Sequence, residues 1–162
     1  MLSSPRARKV VTIFAIGIAI VVGAYFYAVT PPHSFGPPES AEGVLDKADS
    51  LAWGNRWTDA QPLYEKAQHL FAAQKQPSKA LYAQVSQIPP DESGSIRGKI
   101  VQLTQDLRRP EAEDAETRLR ILTIRGMLET NYDAAQARST WEEVKTLALK
   151  QGQLALATRA EG

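Results

Sequence analysis

The chain has 162 residues, 43% hydrophobic and 23% charged, proportions ordinary for a globular protein. Its net charge is +1, and three of its 19 basic residues, Arg6, Arg8 and Lys9, precede the first apolar run, which leaves 16 basic against 18 acidic residues downstream. That balance offers no basic stripe for phosphates and argues against a nucleic-acid partner; the lack of cysteine excludes disulfides, thiolate catalysis and cysteine zinc sites.

Residues 10–30, VVTIFAIGIAIVVGAYFYAVT, carry no charge. As a helix they would rise about 31 Å, enough to cross a hydrocarbon core of about 30 Å. The run exceeds the roughly 7–15 residues of a cleaved signal core, and Ala28-Val29-Thr30 is a poor cleavage site, so an uncleaved transmembrane anchor is predicted. Residues 1–9 are the basic, cytoplasmic side, because positions 31–46 hold no Lys or Arg. The bulk of the chain is then extracytoplasmic, periplasmic if the cell is bacterial. Ala15, Ala19 and Gly23 form a stripe of small residues that would admit a second membrane helix and a homodimer, although such residues are common in membrane helices. Pro31, Pro32, Gly36, Pro37 and Pro38 make residues 31–39 an extended linker.

From residue 40 to residue 162 the pattern is helical, with no alternating strand, which predicts an all-α domain. Val44, Ala48, Leu51 and Ala52 mark a short helix, and Trp53-Gly54-Asn55-Arg56 turns the chain. Ala60, Leu63, Tyr64, Ala67, Leu70 and Phe71 then form one apolar face. Pro62 is expected near that helix's first turn, where a missing N–H costs least. Ala80, Tyr82 and Val85 suggest a third helix that Pro89-Pro90 ends, and Ile96, Ile100, Leu103 and Leu107 a fourth. Pro110 suits the first turn of a fifth, with Glu111, Glu113 and Asp114 at its positive end and Leu119, Leu122 and Gly126 on its inner face. After Asn131-Tyr132-Asp133 a sixth runs through Ala137, Trp141, Val144 and Ala148 to Gly152, and residues 153–160 begin another.

Ala48, Leu51, Trp57, Asp59, Ala60, Tyr64 and Ala67 resemble the tetratricopeptide repeat. In that family small residues let two helices cross closely, a role that Ala48, Ala60 and Ala67 match; Trp57 and Tyr64 match its aromatic positions. Lys47, where Leu is usual, and Pro62 depart from it. The resemblance implies repeats at residues 41–74, 75–108 and 110–152, the second lacking the small-residue signature, with the last unit truncated at the C-terminus. It implies a single transmembrane helix followed by a short α-solenoid of antiparallel helix hairpins.

No phosphate loop, nucleophile elbow or dinucleotide fingerprint occurs, so no catalytic residue, metal ligand or cofactor is assigned. Residues 91–95 read as a solvated turn and helix cap. Glu111, Glu113, Asp114 and Glu116 read as charges complementing a helix dipole, and Arg118, Arg120 and Arg125 as solvated cations around an apolar face. The two histidines, His33 and His69, lie far apart, and His69 reads as a partly buried helix residue. The expected function is a non-catalytic, membrane-anchored scaffold or adaptor that binds a protein or peptide. The alternatives are the sensory or anchoring N-terminal part of a larger signalling enzyme, and a cell-envelope assembly factor. The expected concave partner surface comprises Asp46, Asp49, Ser50, Trp53, Lys79, Gln84 and Gln87.

Overall fold

A computed structural model of the chain describes residues 39–89 and 95–161. The predicted anchor at residues 10–30, its stripe Ala15, Ala19 and Gly23, and the linker apart from Glu39 lie outside the described residues, as do positions 90–94. Among the described residues the chain is all-helical, with seven α-helices and one 3-10 turn and no strand. None of these helices is long and apolar enough to cross a membrane.

Helix α1 is Ala41–Trp53, opened by Ser40, whose Oγ accepts the Gly43 amide at 3.0 Å. It buries Ala41, Val44, Leu45 and Ala48. Asn55 takes the left-handed conformation that the tight turn requires, with φ 59°. Helix α2 is Trp57–Ala73 and buries Ala60, Tyr64, Ala67 and Phe71. The alanines Ala48, Ala60 and Ala67 share one cluster with Tyr64 and Phe71, as close crossing of α1 and α2 demands. Pro62 is the sixth residue of α2, beyond the first turn where it was expected. It forgoes one backbone hydrogen bond there, on the exposed side of the helix.

Helix α3, Pro77–Val85, packs on α2. Helix α4, Ile96–Asp106, is capped by the Ser95 hydroxyl. These two do not pack along each other as a hairpin; each lies against the next helix instead. Pro110 does not open that helix. Pro110–Glu113 forms a 3-10 turn, and Asp114, in extended backbone, caps α5 by accepting the Thr117 amide at 2.9 Å. Glu111 and Glu113 therefore precede α5 (Ala115–Thr130), and Glu111 pairs with Arg109 at 3.2 Å.

Helix α5 is the centre of the domain. Its buried residues include Leu119, Ile121, Leu122, Ile124 and Leu128, which leaves no wide polar face. Helix α6, Ala134–Lys150, packs along it after a turn in which Asp133 caps two amides. Gly126 permits that approach: a Cβ there would meet the Trp141 ring at 3.0 Å. Glu129, fully buried between the two, accepts from Arg125 Nε and Thr140 Oγ1, both at 2.6 Å. Arg125 is thus a partner of a buried acid rather than a solvated cation. Gly152, at φ +72°, turns the chain into α7, Leu154–Arg159.

Candidate functional site

Residues on five helices face a common space, Trp57 of α2 among them. Asp49 and Trp53 come from α1, Tyr82 from α3, Glu116 and Arg120 from α5, and Leu156 and Arg159 from α7. They line a cleft of about 390 Å³, within the size range of ligand pockets. Its apolar wall includes Ala52, Leu119, Ile124, Met127 and Leu156.

Arg120 organises the floor. Its Nε donates to Ser86 Oγ at 2.7 Å, and its Nη2 donates to the Tyr64 hydroxyl and lies 3.3 Å from Asp49 Oδ1. The Tyr64 hydroxyl donates to Asp49 Oδ1 at 2.6 Å and the Tyr82 hydroxyl to Oδ2 at 2.9 Å. The guanidinium carbon lies 5.4 Å from the Tyr64 ring centre and 5.3 Å from that of Tyr82, a cation–π arrangement on both. One cation, one acid and two phenols therefore join α1, α2, α3 and α5. The expectation that Arg120 stays solvated is corrected: its side chain is only 17% exposed, because Asp49 and both tyrosines receive it.

Burial pushes the Tyr64 and Tyr82 phenols well above their ordinary range; Arg120 draws them back and Asp49 pushes them further up. Both hydroxyls stay protonated and act as donors to Asp49. Burial alone would loosen the proton of Arg120, but Tyr82, Tyr64 and Asp49 outweigh it, and the guanidinium is held above its usual value.

At the mouth, the Trp53 ring is 63% exposed, and Arg159 of α7 lies over it at 5.4 Å. Glu116 is exposed at the cleft and has neither an ion pair nor a hydrogen bond among the described residues.

Of the seven partner-surface residues expected, Asp49 and Trp53 line this cleft and the other five do not. Asp46 and Ser50 are exposed elsewhere on α1. Lys79 pairs with Glu42 at 3.2 Å and lies 5.4 Å from the centre of the Phe71 ring. Gln87 donates to Gln68 at 2.6 Å, and Gln84 is half-buried. His69 is exposed rather than partly buried. Tyr82, Glu116 and Arg120 complete the site without having been expected in it. The available signal was α5 itself, an apolar helix that nonetheless carries Arg118, Arg120 and Arg125.

No group of three or more His, Asp or Glu that could hold a metal ion occurs among the described residues. Both oxygens of Asp49 are engaged, Oδ1 by the Tyr64 hydroxyl and Oδ2 by the Tyr82 hydroxyl. No protein-family model matches the chain, and no curated protein or solved structure matches it.

Proposed function

We propose that the chain is a membrane-anchored, non-catalytic scaffold or adaptor, with tetratricopeptide-like helix pairs at α1–α2 and α5–α6, whose cleft docks a protein or peptide. The carrying observation is the cleft itself: an apolar wall, an exposed Trp53 and a floor made rigid by the Arg120 network. Large, exposed aromatic anchors beside an apolar pocket are the usual centre of a docking surface. The uncharged run at residues 10–30 and the basic residues before it support an anchored, outward-facing domain.

Two experiments test this reading. Benzoylphenylalanine placed at Trp53 of the full chain in its native membranes is expected to give a discrete photo-adduct with one protein. The same probe at the exposed Tyr132, which is not a cleft residue, is expected to give none. Equal labelling at the two positions, or none at Trp53, counts against the docking role. For topology, protease added to intact spheroplasts should remove the helical domain, and full protection would overturn the outward orientation.

A further inference from the structure

The contacts at the cleft mouth point to the chemistry of what enters it. Helix α7 turns two side chains towards this space, Leu156 and Arg159, three residues apart on one face. Leu156 packs with Leu119 in the third core cluster, while Arg159 reaches over to Trp53. The cleft's own acids are Asp49 and Glu116. Asp49 is committed to Arg120, whereas Glu116 is unpaired among the described residues. With Arg159 set aside, the remaining side chains therefore carry one uncompensated negative charge, in a cleft whose aromatic face already accepts a guanidinium.

Resting on the docking role proposed above, we infer that the partner is a cationic amphipathic helix. It seats a bulky apolar side chain against the partly exposed Ala52, Met127 and Leu156, and places an Arg or Lys one turn away on the Trp53 face of the cleft that Glu116 also lines. Arg159 holds that place in the free chain, as an internal stand-in that the partner's cation replaces. Helices docking through apolar anchors at i and i+3 or i+4 are a recurring mode of recognition. Arg159 is well placed to yield. It is exposed at the end of a six-residue helix, and an exposed cation–π pair is worth only about 0.5–1 kcal/mol.

The test uses the full chain in detergent micelles and a fluorescein-labelled peptide, KQGQLALATRAE, which copies residues 150–161. Fluorescence anisotropy reads the affinity. In the Arg159→Ala chain the peptide should bind about two- to fivefold more tightly than in the native chain, since the Trp53 face is vacated. Replacing the peptide's Arg by Gln should remove that gain, as should adding Trp53→Ala to Arg159→Ala. Adding Glu116→Gln instead should weaken binding and flatten its salt dependence. Trp53, Glu116 and Arg159 are all exposed, so none of these changes removes a core side chain. Equal binding by the Arg and Gln peptides overturns the cationic partner, as does an Arg159→Ala chain that binds no better than the native one. The photo-adduct at Trp53 is read separately. If it forms while the peptides fail to discriminate, the docking role stands and this inference falls; if neither experiment gives a signal, both fall.

Discussion

At the scale of single residues, Arg120 is the side chain on which most depends. Replacing it with Leu leaves Asp49 without its cation, while the two tyrosines still donate to it. Breaking a fully buried pair costs about 3–5 kcal/mol, and the cost here should be lower, about 2–3 kcal/mol, because Asp49 is one-third exposed. Urea denaturation of the Arg120→Leu chain reads it directly. Arg120→Lys should recover only part of the loss, since an ammonium cannot serve Ser86 and Tyr64 with separate nitrogens. The phenols supply a pH prediction. Both hold their protons more tightly when folded than an unfolded tyrosine does, with its pKa of about 10. Their contribution to stability is complete below that value. It falls as pH rises above it, because the unfolded chain then sheds protons that the folded chain retains. The urea midpoint should therefore drop steadily above about pH 10. Phenolate absorbance from Tyr64 and Tyr82 should appear only with unfolding, and the drop should shrink in a Tyr64→Phe, Tyr82→Phe chain.

At the scale of elements, the α5–α6 pair rests on a close approach and one buried acid. Gly126→Ala would gain about 1 kcal/mol in helix propensity but drives a methyl to 3.0 Å from the Trp141 ring, an overpacking cost of about 1–3 kcal/mol. The expected net effect is a loss of about 1 kcal/mol, with a shifted Trp141 emission spectrum; unchanged emission would mean the ring is not the limiting contact. Thr140→Val takes one of the two donors from Glu129 and should cost about 1–3 kcal/mol by thermal or urea melting. How much of this was legible in the sequence follows from the range of each interaction. The α1–α2 hairpin was readable because its signals are local: apolar residues three and four apart, alanines at the crossing and a Gly-Asn turn. Asp49 and Trp53, expected on one surface from their phase on α1, both line the cleft. Arg120 and Arg125 were not readable in this way. A sequence window shows an arginine as a surface residue, and what buries Arg120 lies on helices folded in from far upstream. The start of α5 was misplaced because Pro110 and Asp114 both carry helix-start signals, and the Asp114 cap prevailed. The missing α3–α4 hairpin left no local mark beyond the long connection between these helices.

At the scale of the molecule, three apolar clusters run in sequence along the domain. The first joins α1, α2 and α3, the second α3, α4 and α5, and the third α5, α6 and α7. Helix α3 serves two of them: Ala83 faces the first, while Leu81 and Val85 face the second. The Arg120 network is the polar tie across the same boundary. Cutting it should loosen one end more than the other. In native-state hydrogen exchange of the Arg120→Leu chain, amides of α1 and α2 should lose protection ahead of those in α5 and α6. Uniform loss throughout would mean that apolar contacts through α3 alone hold the domain as one cooperative unit.

The separation of Arg120 from its partners also sets an order of events at the ribosome. Tyr64 precedes Arg120 by 56 residues, so at about 5–20 residues per second the cation is made roughly 3–11 s later. Every residue of the first apolar cluster is made before it, and α1, α2 and α3 have what they need to associate. Asp49 and the two phenols then wait as an acid without its cation. The last step of that half's assembly belongs to a residue that the other half supplies. A nascent chain halted before Arg120 would therefore hold Asp49, Tyr64 and Tyr82 without the cation that they enclose in the finished domain.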